Sequence, residues 1–199
     1  MLHELALRSR SYRRFDITVP VSLTDLRALA DLARLCPSAG NKQPLRFVLC
    51  NDPAHNARIY ACLKWAAYLT DWEGPEPTER PSAYIVMVNT APSWDFAKYD
   101  LGIMAQTMLL GATEKGFGGC ILASIDRDRL RDVLGLDKGH EICLVLALGK
   151  PVEDVRIVPV ADSADPKAIR YYRDSQGVHY VPKLDLDTLI LHTCSHEKK

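Results

Sequence analysis

The run Ala83-Tyr-Ile-Val-Met-Val-Asn89 constrains the fold more than any other stretch of the chain. It is apolar almost without interruption, so a strand built from it must be covered on both faces. That places it centrally in a sheet. Three more runs read as strands: 45–50, 120–123 and 141–148, with Gly149-Lys-Pro151 expected to end the last.

Helical signals fill the intervals. Ser22-Leu-Thr-Asp25 is a capping-box-like start with Asp in place of Glu or Gln. It opens a helix carrying Leu23, Leu26, Leu29, Ala30 and Ala33 on one side, and Cys36-Pro37 stops it. Asp52-Pro53 marks a second start, for a helix to about Tyr68. The longest helix spans 95–115. Its stripe of Leu101, Met104, Ala105, Met108, Leu109 and Ala112 is widened by Ile103 and Leu110, as in a helix buried in a core or a subunit interface. Asp126 caps a helix to about Leu134, and short helices are expected over 2–11 and 185–192. Strands separated by helices predict an α+β fold, one sheet with helices packed around it. The stretch 71–82 holds three prolines and four acidic residues; a solvated connection is expected, with a lid as the alternative. Residues 152–183 are charged and tyrosine-rich, and are expected to form a tail or an arm rather than core.

With 199 residues the chain suits one domain, 1–199, divided into a core over 1–151 and an extended arm and tail over 152–199. Its 25 basic and 25 acidic residues cancel, which disfavours a general polyanion binder. No apolar run is long enough for a membrane span, and residues 1–14 lack the apolar segment of a secretory signal. Six cysteines without a CxxC pair read as reduced thiols in a cytoplasmic protein. The six histidines show no ligand spacing, and Cys194-Ser-His196 reads as a frayed end, so no metal is expected.

Three stretches carry possible chemistry. In Arg10-Ser-Tyr-Arg13-Arg14-Phe15, three guanidinium groups flank a hydroxyl, which suits phosphate recognition or simply a solvated helix end. Pro37-Ser-Ala-Gly-Asn-Lys-Gln-Pro44 is stiff at its ends and rich in hydrogen-bonding side chains. Gly116-Phe-Gly-Gly-Cys120 leads into a strand, whereas phosphate-binding glycine loops open a helix, and it fails both GxGxxG and GxxxxGK.

These three blocks, in this order and at these separations, resemble the FMN-dependent nitroreductase family over about 5–151. Tyr171-Tyr-Arg-Asp174 and Gly177-Val-His-Tyr-Val-Pro-Lys183 resemble the C-terminal segment of a compact subgroup. The resemblance implies a mixed sheet flanked by helices, an intertwined homodimer with FMN at its interface, and an arm that wraps the partner. It implies Arg10 and Ser11 at the phosphate and ribityl end, Arg13 near the pyrimidine edge and Lys183 at the phosphate. Pro37, Ser38, Asn41 and Gln43 are implied to reach the neighbouring subunit's flavin, and Leu122, Ala123 and Ser124 to offer backbone N–H groups to the ring. The chain departs from the family pattern at Ser9, where many members carry Arg. Lys64 is a candidate helper, and Trp65 reads as core. The implied chemistry is ping-pong transfer of hydride from NAD(P)H through flavin N5 to nitroaromatics or quinones, with no side-chain acid or base. Dehalogenation or enone reduction on the same scaffold, or non-catalytic FMN binding, are the alternatives.

Overall fold

The strand at 83–89 forms as expected, and its two faces enter different cores. The computed structural model describes residues 1–162 and 164–194, so Ser195 and His196 of the C-terminal motif lie outside the described residues. β3 (Ala83–Asn89) is buried throughout. Ala83, Ile85 and Met87 pack with Leu26 and Leu29 of α2 (Leu23–Arg34) and Met104 and Met108 of α4 (Ala97–Glu114). Tyr84, Val86 and Val88 pack with Ile59 of α3 (Pro53–Tyr60) and Leu130 of α5 (Arg127–Leu134). Side chains alternate across a strand, so a helical layer on each face demands an unbroken apolar run.

β3 sits between β2 (Leu45–Cys50) and β5 (Glu141–Pro151). The far edge of β5 pairs first with β4 (Gly118–Leu122) and then with β1 (Phe15–Asp16), and every pairing is antiparallel. The β3–β5 register shifts at Met87/Val88 and leaves Cys143 without an opposite residue, as in a β-bulge. Side-chain caps set the helix starts that the sequence marks. Ser22 accepts from the Asp25 N–H, Asp52 from His55 and Asp126 from Arg129.

Four expectations are corrected. α1 (Leu2–Arg8) stops before Ser11, because Ser9 is extended and Tyr12 donates its N–H to Gly119. α3 ends at Tyr60 rather than near Tyr68. Its continuation is drawn away by the Leu63–Ile125 bridge and the Lys64 N–H to Ser124 oxygen bond, and Ala66 has φ +39°. β5 runs through Gly149-Lys-Pro151, because β1 pairs with Lys150 and Pro151. Residues 152–183, read as a tail or an arm with little regular signal, carry three strands.

Those strands belong to a second compact unit, Tyr68–Thr70 with the described part of 153–199; the first unit is Met1–Ala67 with Asp71–Val152. In the second unit β6 (Val155–Pro159) pairs in parallel with β8 (His179–Lys183), and β7 (Tyr172–Arg173) adds antiparallel to β8. Tyr172 stacks on Tyr180, and the Tyr68 ring meets Tyr171. The last helix, α6 (Leu186–Leu189), is capped by Asp185.

Candidate functional site

The segment after α1 is held against β4. Ser11 bridges Gly119, and the Tyr12 N–H donates to the Gly119 oxygen at 3.0 Å. Glycine makes this approach possible. A Cβ on Gly118 would stand 2.5 Å from the Tyr12 ring and 2.6 Å from Pro151, and one on Gly119 would stand 2.5 Å from the Ala147 oxygen. The glycine run is therefore a packing device within the sheet.

The three arginines of this segment differ in what they are free to do. Arg13 is buried and donates from Nη1 to the Ser11 oxygen at 3.1 Å. Arg10 donates to the Ala6 oxygen, and its buried Nε–H has no partner among the described residues. Ser11 is exposed. Arg14 instead grips both Glu79 oxygens, at 2.5 and 2.6 Å, so it is tied to the acidic stretch. That stretch is fastened again where Tyr60 donates to the Pro75 oxygen at 3.1 Å and Ile17 donates to the Thr78 oxygen at 3.4 Å.

The loop between Pro37 and Pro44 has a strained backbone, with φ near +50° at Gly40, Asn41 and Gln43. Its anchor is Asp100, 1 % exposed in the first turn of α4. The Ser38 hydroxyl donates to Asp100 Oδ2 at 2.6 Å and the Ala39 N–H to Oδ1 at 3.0 Å. Ser38 Oγ also accepts the Gln43 N–H, and Gln43 Nε2 donates to Asn41 Oδ1 at 3.0 Å. Ser38 is thus spent inside the loop, while Pro37, Asn41 and Gln43 are exposed. Sequence reasoning missed Asp100. The available signal was a carboxylate in the first turn of a predominantly apolar helix.

At the end of β4, Leu122 is buried while Ala123 and Ser124 are exposed. Arg127 donates to the Ala123 oxygen and the Lys64 N–H to the Ser124 oxygen; no partner among the described residues takes the two N–H groups. Lys64 is exposed, and Trp65 is buried and stacked on Tyr60, as the core reading expects. Lys183 closes β8 in the second unit and is exposed. Burial pushes the Cys50, Cys62 and Cys143 thiols up, away from reactive thiolates. No metal-binding group of His, Cys, Asp or Glu occurs among the described residues.

The strand register places these pieces. Gly119 pairs with Leu148, which pairs with Ala83, so the Arg10–Arg13 segment lies level with the start of β3, across β4 and β5. The Ser38–Gln43 loop enters β2 at Leu45, opposite Asn89, at the end of β3. Six residue steps separate the two ends, about 20 Å at 3.4 Å per step.

This arrangement coincides with a family match, because the model of the Nitroreductase family fits residues 6–150. The chain belongs to the nitroreductase family. It is thereby an oxidoreductase of nitroreductase type, and the mixed α+β fold follows. A protein of Archaeoglobus fulgidus, provisionally named an NADH dehydrogenase/NAD(P)H nitroreductase, is 23% identical over 75% of this chain and 85% of its own. A nitroreductase family protein from Clostridium difficile 630 superposes with a TM-score of 0.63 at 19% identity, covering 98% of each chain. An FMN-dependent nitroreductase from Clostridium difficile R20291 gives a TM-score of 0.63 at 19% identity, over 75% of this chain and 87% of that one. No helix among the described residues is long and apolar enough to cross a membrane.

Proposed function

We propose that this nitroreductase family member is a homodimeric, FMN-dependent enzyme that passes hydride from NAD(P)H to nitroaromatics, quinones or similar electron-poor acceptors. The observation that carries the reading is the separation of the two polar blocks. About 20 Å along the sheet is too far for Arg13 and Asn41 of one chain to grip one ring system. A second copy bringing its own Ser38–Gln43 loop to the Arg10–Arg13 segment removes the difficulty.

The residues present fit FMN. The orphaned Arg10 Nε–H and the exposed Ser11 hydroxyl supply donors for a phosphate and ribityl chain. The buried Arg13 guanidinium supplies fixed positive charge for the ring's pyrimidine edge. The free Ala123 and Ser124 N–H groups, beyond Leu122, supply donors for the ring's polar edge. Lys183 is assigned to the phosphate. Asp100 and Ser38 hold the loop so that Pro37, Asn41 and Gln43 are presented outward. FMN, when bound, supplies the centre that takes up and gives back hydride; the chain supplies position and charge.

The dimer also gives a use to apolar surface. Phe96, Tyr99 and Ile103 of the α4 region and Leu2 and Leu7 of α1 are exposed, and α1 buries none of its residues. The proposed wrapping of the partner by residues 152–199 and a cytoplasmic location complete the reading. The six free cysteines suit a reducing compartment.

The test is steady-state NAD(P)H oxidation by the FMN-loaded protein, with menadione or nitrofurazone as acceptor. Parallel double-reciprocal lines support ping-pong turnover. FMN binding without turnover leaves only a flavin-binding protein, and absence of FMN binding overturns the proposal.

A further inference from the structure

A cavity of about 210 Å³ in the first unit lies beside α3 and the end of the acidic stretch. None of the residues assigned above to FMN lines it. Its walls are mostly apolar, with Ile17, Ala57 and the prolines at 20, 53, 77 and 81. Six polar side chains also line it: Asn51, Asn56, Tyr60, Arg80, Ser82 and Tyr84.

Three of these leave a buried polar atom without a partner among the described residues. Tyr84 is fully buried, and its hydroxyl has none. Burial pushes the Tyr84 phenol far up, so it remains a hydrogen-bond donor. Asn56 spends Nδ2 on the Ser82 oxygen at 2.8 Å, but its buried Oδ1 accepts nothing. Arg80 places its guanidinium carbon 3.9 Å from the centre of the Tyr60 ring, and its Nε–H is likewise unused. Native proteins satisfy nearly all buried polar atoms, so three in one cavity call for something from outside.

The chemistry of that molecule follows from the walls. The cavity lining contains no acidic residue, so Arg80 is its only charge. A guanidinium and a phenol O–H both donate, which matches a carboxylate. The Asn56 oxygen accepts, which calls for an N–H or O–H elsewhere on the ligand. The proline-rich walls suit a flat hydrocarbon body. At about 30 Å³ per water, the volume equals roughly seven waters, or a body of roughly ten non-hydrogen atoms. We propose that this cavity binds a small aromatic carboxylate carrying a second hydrogen-bond donor, of the aminobenzoate class.

The experiment titrates the full-length protein with 4-aminobenzoate and with benzoate by calorimetry, alongside Tyr84→Phe and Arg80→Gln. Saturable binding of 4-aminobenzoate is expected, weakened about tenfold or more by each substitution. Benzoate, lacking the second donor, is expected to bind about fivefold more weakly than 4-aminobenzoate. Tyr84→Phe removes a hydroxyl that makes no internal bond, so its melting temperature should equal or exceed that of the parent, which separates lost binding from lost folding. Absence of saturable binding means a merely hydrated cavity and overturns the proposal. So does binding left untouched by Tyr84→Phe, which would put the ligand elsewhere. Benzoate binding as tightly as 4-aminobenzoate removes the second donor from the recognised class.

Discussion

The two polar stretches at opposite ends of β3 hold their shape by different means. The Arg10–Arg13 segment is fixed through its backbone, by pairing with Gly119, and two of its side chains retain capacity: Arg10 Nε–H has no partner among the described residues and Ser11 is exposed. The Ser38–Gln43 loop is fixed through side chains, with Ser38 and Ala39 both bound to the buried Asp100 carboxylate. A motif residue therefore has two ways to act: on the ligand directly, or on the backbone that faces the ligand. In the proposed reading Arg10 and Arg13 are of the first kind, whereas Ser38, bound to Asp100, is of the second.

The largest effect should come from removing the loop's anchor. Asp100→Leu leaves the Ser38 hydroxyl and the Ala39 N–H without their acceptor in a partly buried turn. Two hydrogen bonds to a charged group are lost, for a destabilisation of about 3 kcal/mol or more. Thermal unfolding of the FMN-free variant should show it as a clear fall in melting temperature. An unchanged melting temperature would make the loop independent of its anchor and erase the contrast between the stretches.

Next in size is the loss of ligand contacts. Arg10→Ala and Arg13→Ala should each weaken FMN binding by about 1.5–3 kcal/mol, roughly 10- to 150-fold. Arg10→Ala should leave the FMN-free melting temperature nearly unchanged, whereas Asp100→Leu should lower it. Flavin titration beside thermal melts separates the two kinds of residue. Equal FMN affinity in parent and both variants would refute the assignment.

Much of the fold was legible because its signals are local. The caps at Ser22, Asp52 and Asp126 start their helices, and the apolar run at 83–89 is the fully buried central strand. What was not legible depends on partners far along the chain. β1 is two residues long and exists because β5 continues to Pro151. β6 and β8 carry mixed polar sequences and are strands because they pair with each other. The candidate site divides in the same way. The cationic character of 10–14 can be read directly, but Glu79, which occupies Arg14, is 65 residues away. Asp100 lies 62 residues from Ser38. The formal charge of zero conceals this pairing of Arg14 with the acidic stretch.

Subunit mixing sharpens the comparison, because it asks whether the two stretches meet in cis or in trans. Arg13→Ala is combined with the double variant Asn41→Ala/Gln43→Ala, each poor in FMN binding, and the subunits are exchanged at equal concentrations. If the loop serves the partner's segment, each mixed dimer has one site with Arg13, Asn41 and Gln43 all intact and one with every defect. Random exchange makes about half of the dimers mixed, so about a quarter of all sites regain parental affinity. If loop and segment served the same site within one chain, no mixed dimer would contain an intact site and mixing would recover nothing.

The smallest effect concerns the ion pair that withdraws Arg14. The Arg14–Glu79 pair is partly exposed, with side-chain exposures of 30% and 25%, so solvent screens it. Glu79→Gln should cost no more than about 1 kcal/mol of stability, less at high salt. It also releases the Arg14 guanidinium, close in sequence to Arg10 and Arg13, from that carboxylate. If that segment is an anion site, added positive charge should tighten FMN binding slightly, within about threefold, and the gain should vanish as salt is raised. Weaker FMN binding in Glu79→Gln would instead mean that the pair holds the backbone of the segment, and that Arg14 serves the ligand in the same indirect way as Ser38.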